Sequence, residues 1–208
     1  MKSVSDRQSR SFWLKHLHRW HWISSAICLI GMLLFVATGI TLNHAADIET
    51  EPQVVNRTAS LPAPLLAQLA KGPQEARQPL PAAIAGWLSA QLADDVAGKI
   101  GEWSEDEVYV SLPRPGGDAW LTIDRASGDV SYELTDRGWI AYFNDLHKGR
   151  NAGRAWAWFI DIFAGTALVF CITGLFLLHL HAGNRPTTWP LVALGLVVPL
   201  LLAIAFIH

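Results

Sequence analysis

The sequence predicts an α-helical membrane protein: three transmembrane helices, with a small α+β domain inserted between the first and the second. Three observations lead there. Of the 208 residues 51% are hydrophobic and only 16% are charged, and the apolar residues gather in long runs. Residues 23–42 carry no charge, 156–178 carry Asp161 alone, and 190–207 carry none. About 20 residues at ~1.5 Å rise cross a ~30 Å hydrocarbon core, so the first two runs suffice comfortably and the third just reaches. Between the first and second runs the composition becomes that of a soluble protein.

The predicted order is a cytoplasmic segment (1–22), helix 1 (23–43), the inserted domain (44–155), helix 2 (156–178), a cytoplasmic link (179–189) and helix 3 (190–207). The first run exceeds the apolar core of a signal peptide and follows a long leader, so it reads as a retained helix. Residues 1–22 carry five basic residues against Asp6, whereas 43–155 carry an excess of acids. By the positive-inside rule the N-terminus lies in the cytoplasm and the inserted domain outside it. The C-terminus then also ends outside, and the location is a bacterial inner membrane facing the periplasm. Trp13, Trp20, Trp22 and Trp189 mark one interface, and Trp156 and Trp158 the other.

Within the inserted domain, the proline-rich stretch 52–81 reads as an extended entry with a short helix near 64–71. Residues 80–92 carry a helical stripe of Ile84, Trp87, Leu88 and Leu92. Strands are expected at 107–112, 119–124 and 130–134, separated by Pro-Gly-Gly and Ser-Gly-Asp turns. One helix and a three-stranded meander make the expected unit.

Composition also excludes functions. A net charge of −2, with no basic run beyond the N-terminus, excludes a nucleic-acid partner. Cys28 and Cys171 both lie in apolar runs, which excludes a disulfide framework and a cysteine zinc site. They read as small packing residues.

The stretch Val108-Tyr109-Val110…Trp120-Leu121-Thr122-Ile123-Asp124-Arg125-Ala126-Ser127-Gly128-Asp129-Val130 resembles the second half of a PepSY domain. Its flanks, Leu17-His18-Arg19-Trp20 and Asp145-Leu146-His147-Lys148-Gly149-Arg150, resemble PepSY-associated transmembrane proteins. The resemblance covers most of residues 14–181. It implies an extracytoplasmic PepSY-like domain and, from the larger members, a reductase of Fe(III) or ferric-siderophore serving iron uptake. It equally implies a second function: a membrane-tethered PepSY module that binds or inhibits a protein partner without redox activity.

An internal repeat stands apart from that resemblance. Thr38-Gly39-Ile40-Thr41-Leu42-Asn43-His44 matches Thr173-Gly174-Leu175-Phe176-Leu177-Leu178-His179, and Leu-His-basic lies upstream of each, at Leu17-His18-Arg19 and Leu146-His147-Lys148. The helices carry the same parts in opposite directions, an arrangement that in membrane proteins places a site between the halves. An antiparallel pair would bring His44 to His147 at the outer face and His18 to His179 at the inner face. Imidazole is an axial ligand of haem iron, so two bis-histidine haem b sites are expected. His21 competes with His18, and His181 with His179; His16 and His208 read as interfacial polar residues. Gly39 and Gly174 would let a macrocycle or a helix approach closely. Asp161, the one acid within a run, is expected to support a ligand such as His44 from behind or to pair with Arg154. No nicotinamide or flavin fingerprint is present, so the electron donor would be a membrane quinol or a redox protein. Two helices make a thin wall around a macrocycle, which suggests a homodimer in the bilayer.

Overall fold

The computed structural model describes residues 4–48 and 51–207; His208 lies outside them. Three helices are long and apolar enough to cross a membrane: α1 (Val4–Asn43), α5 (Gly153–His181) and α6 (Thr188–Phe206). Residues 4–22 belong to α1 without a break. The chain divides into two compact units, one holding residues up to 34 with those from 159 onward, the other residues 35–158.

In the first unit, α1 turns a stripe of small residues inward. Ser24 and Cys28 are buried, and Gly31 meets Phe163, whose ring lies 2.5 Å from where a Cβ would stand. Close approach of this kind is how transmembrane helices associate, since lipid offers no hydrophobic drive between them. Arg10 donates to the Leu180 carbonyl at 3.2 Å. Both cysteines are free thiols; Cys28 lies 3.6 Å from the Met32 sulfur. Helix α6 has no buried residue among those described.

The second unit is built on a six-stranded antiparallel sheet. Its strands are β1 (Gln53–Ser60), β2 (Ala76–Pro79), β3 (Ile100–Trp103), β4 (Glu107–Ser111), β5 (Gly117–Asp124) and β6 (Asp129–Asp136), in the order β1-β6-β5-β4-β3-β2. Helices α2 (Ala63–Leu69) and α3 (Ala82–Leu92) contribute to its core. Strand β5 alternates cleanly, burying Ala119, Leu121 and Ile123. These meet Ile84, Leu88 and Leu92 of α3 and Val108, Val110, Val130 and Tyr132 of the neighbouring strands in one core. The two turns form where the sequence places them. Gly116 takes φ +74, and Gly128 takes φ +79 while the Asp124 carboxylate accepts from Ala126 and Ser127 N–H.

The sheet has twice the expected three strands. The stretch read as an extended entry contains β1, which pairs along its whole length with β6 from Gln53↔Asp136 to Ser60↔Asp129. It is an edge strand with most residues exposed, so no alternation marks it. Strands β2 and β3 have four residues each, too short for a periodic pattern. A further helix, α4 (Gly138–Lys148), stands before α5 and ends on Gly149 at φ +67.

Candidate functional site

The repeat becomes meaningful once its side chains are placed. Each Thr-Gly pair seats an imidazole, and each seat has an aromatic ring one turn earlier in the helix. In the first unit His21 of α1 lies against α5. Its Nδ1 is 3.0 Å from Thr173 Oγ1 and 3.2 Å from the Phe170 carbonyl. The ring stacks on Phe170 at 4.6 Å and 16°. A Cβ on Gly174 would stand 3.3 Å from His21 Cε1. In the second unit His147 of α4 lies against α1, with Nδ1 2.7 Å from Thr38 Oγ1 and the Phe35 ring 4.9 Å away. Here a Cβ on Gly39 would stand 3.6 Å from His147 Cε1. The shared motif is Phe-x-x-Thr-Gly, at 35–39 and 170–174.

A hydrogen-bond direction assigns the Nδ1 proton of His21. A carbonyl only accepts, so the Phe170 oxygen assigns the proton of His21 to Nδ1. The Thr173 hydroxyl donates its single hydrogen to its own helix, at Val169 O (2.7 Å) or Phe170 O (3.0 Å), and therefore accepts from Nδ1–H. The Thr38 hydroxyl has Phe35 O at 3.1 Å as an acceptor, which lets it accept from an Nδ1–H of His147 at 2.7 Å. In that tautomer the Nε2 lone pair remains, the one that ligates a metal.

The other histidines are placed differently. His18, His44 and His181 are exposed and point Nδ1 at their own helix, towards Leu14 O (2.8 Å), Ile40 O (3.0 Å) and Leu177 O (2.8 Å). The inner pairing expected between His18 and His179 is replaced by His18 with His181, their rings edge-on at 5.8 Å. His179 instead packs edge-on to Trp189 at 5.8 Å. At the other end His147 has Thr38 as its polar partner and His44 has Ile40. Asp161 is exposed on α5 and makes no ion pair among the described residues. No three His, Cys, Asp or Glu side chains converge as a metal site among those residues, so the imidazoles stand singly or in pairs.

An open cleft of about 690 Å³ beside the first seat is lined by His21, Gly174, Leu177, Leu178, His181 and Arg185. Its lining sets two leucines beside two imidazoles and one guanidinium. A second cleft of about 450 Å³ brings His179 together with Arg10, Trp13 and Phe176.

The polar groups of the sheet domain hold structure together. Buried Arg125 donates to the Pro73 and Gly72 carbonyls at 2.9 and 3.1 Å and sits 5.6 Å over the Trp103 ring. Asp94 accepts from the Tyr132 hydroxyl (2.8 Å) and pairs with Arg114. Burial pushes the Asp94 carboxyl up, but Tyr132 and Arg114 outweigh it and hold the group below the usual aspartate value. Burial and the Asp94 charge together raise the Tyr132 phenol.

Among known protein families, the one described as "Putative PepSY_TM-like" matches residues 12–208. No curated protein and no solved structure matches.

Proposed function

The chain belongs to this PepSY-associated transmembrane family, and on that premise we propose that it is a b-type haem electron-transfer protein of the bacterial cytoplasmic membrane. It delivers electrons to Fe(III) or ferric-siderophore outside the cytoplasm. The observation that carries the reading is the repeated seat, in which a threonine hydroxyl and a glycine hold an imidazole by its Nδ1 and Cε1 edge and leave Nε2 to a metal.

The residues fit the cofactor. His21 and His147 would each hold a haem iron through Nε2. His181 and Arg185 share the cleft of His21, the first as a further imidazole and the second as a cation for a macrocycle carboxylate. His18, His44 and His179 are further imidazoles that would be available to hold the iron. Haem, when bound, supplies reversible one-electron chemistry. The protein's part is to hold each imidazole in one tautomer and one orientation. Thr38 and Thr173 do that by accepting from Nδ1–H, which also makes Nε2 a stronger donor.

In this reading the N-terminus is cytoplasmic and the sheet domain is the extracytoplasmic PepSY unit, as the charge asymmetry favours. A membrane quinol or a redox protein supplies the electrons. Each Fe(III) accepts one electron, and the resulting Fe(II) is held less firmly by hard oxygen ligands.

The test is an absorption spectrum of the detergent-purified chain, oxidised and reduced, after expression with ample haem. A Soret band that sharpens on reduction is expected, with about half the haem lost in His21→Ala and half in His147→Ala. A colourless protein overturns the reading and leaves the tethered partner-binding module as the better account. The orientation is checked separately: a cysteine at Ser127 should react with a membrane-impermeant maleimide in intact cells.

A further inference from the structure

Helix α4 carries three exposed aromatic rings, two of which, Trp139 and Tyr142, also border a cleft with Leu134, Thr135 and Asp136 of β6. Trp139 is 69% exposed, Tyr142 43% and Phe143 44%. The three rings cluster on one another, with edge contacts at 6.1 Å (139–143) and 5.6 Å (142–143). Their spacing of i, i+3 and i+4 makes a continuous aromatic stripe. The other faces are fixed. Thr41 of α1 donates to Asn144 at 2.8 Å, and His147 reaches Thr38 at 2.7 Å. Buried Asp145 accepts from the Gly116 N–H at 2.9 Å, tying α4 to the β4–β5 turn. The Trp156 indole donates to the Leu146 carbonyl at 2.8 Å, holding the start of α5 to the end of α4.

These contacts set the depth of α4. One turn forward on α4, from Asn144 to His147, matches one turn back on α1, from Thr41 to Thr38. The two helices therefore run antiparallel, side by side, at the C-terminal end of α1. His147 lies level with the apolar run of α1. Phe143 and Trp139 stand about 6 and 12 Å further out at ~1.5 Å per residue. A headgroup layer is roughly 5–7 Å thick beyond the hydrocarbon.

We infer that the aromatic stripe of α4 meets lipid where the helix passes through the headgroup layer. Phe143 and Tyr142 stand at the hydrocarbon boundary and Trp139 at the outer edge. Lipid is the occupant because Asn144 and His147 hold α4 to the last two turns of α1, a helix long and apolar enough to cross the bilayer, and because exposed Trp and Tyr rings match the chemistry of the layer at its end. The helix clamps the sheet domain to the membrane surface through Asp145 and Gly116.

The test uses the full chain with Cys28 and Cys171 replaced by alanine. Single nitroxides are placed at 139, 142 or 143, and the protein is reconstituted into phosphatidylethanolamine–phosphatidylglycerol vesicles. Collision with oxygen, which favours lipid, is compared with collision with a water-soluble nickel chelate. Ser127 serves as the water reference and Leu168 of α5 as the hydrocarbon reference. Oxygen-to-nickel ratios at 142 and 143 should lie between the two references and exceed that at 139. Ratios equal to Ser127 at all three positions would overturn the inference, because the face would then be in water. Exclusion of both reagents would overturn it too, because a protein would then cover the stripe. Three independent positions keep the test decisive if one substitution prevents insertion.

Discussion

Replacing Thr173 with valine should loosen the hold on His21 without opening a hole. Valine keeps the branched shape and removes only the hydroxyl that accepts from His21 Nδ1 at 3.0 Å. The bonds that hydroxyl donates to Val169 and Phe170 are surplus, since those carbonyls also serve the helix ladder. A neutral hydrogen bond contributes about 0.5–1.5 kcal/mol net. At about 1.4 kcal/mol per decade that is roughly 2- to 12-fold. Supporting partners of metal-bound imidazoles cost about 10–100-fold when removed. The ranges meet near tenfold, and we expect haem affinity at the first seat to fall by about that factor. Thr38→Val should do the same at the second, where the contact is shorter at 2.7 Å. Haem loss to an excess of apo-globin measures the affinity, and redox titration measures the potential. Losing the Nδ1–H acceptor makes Nε2 a weaker donor, disfavours Fe(III) and moves the midpoint potential upward. Thr→Ser retains the hydroxyl and should restore both. If Thr173→Val keeps wild-type haem retention and potential, the hydroxyl does not orient a ligand and the seat does not hold His21 for a metal.

Three further outcomes follow from the sheet domain. Leu121→Ala, at a fully buried position on β5, should destabilise the domain by about 2–5 kcal/mol, seen as faster hydrogen exchange across β4–β6. The depressed Asp94 carboxyl gives the domain stability that is present above the unfolded-state value of about 4 and is lost as pH falls through the lower folded value. Exchange should therefore accelerate on acidification below about pH 4 in the wild type and much less in Asp94→Asn. Gly116→Ala places a Cβ 2.8 Å from the Tyr142 backbone at φ +74 and should free α4 from the β4–β5 turn. Gly138→Ala meets no atom and carries only the backbone penalty at φ +81. Equal protection of α4 in both variants would show that the close approach at Gly116 does not matter.

The long helices and the centre of the sheet are legible from sequence because their physics is local. An uncharged run of twenty residues has no soluble alternative, and β5 alternates because one of its faces lies on α3. The edge strands are not legible, because β1 is held by its ladder to β6 and seven of its eight residues are exposed, so no buried face marks it. Helix α4 was hidden for a related reason: its aromatic stripe is exposed, so it resembles no core-facing pattern.

The histidines divide along the same line. The Thr-Gly repeat identifies both seats, but Leu-His-basic selects His18 for the first, and the structure puts His21 there. A finer signal lies in the phase of α1. Leu17, His21, Ser24, Cys28, Gly31, Phe35 and Thr38 follow one another at alternating steps of four and three, a single stripe along the helix. Its small members are the ones that allow close packing, so an imidazole on that stripe is carried inward and His18, one position off it, is not. The second seat has no such guide. His147 lies on α4, beyond the break at Gly149, and only folding brings it back along α1 to Thr38. One half of the repeat thus holds its imidazole on a continuous helix and the other on a separate short one. A shared local motif, Phe-x-x-Thr-Gly, produces the same contact from two different chain paths, and that convergence ties the seats to the imidazoles they hold.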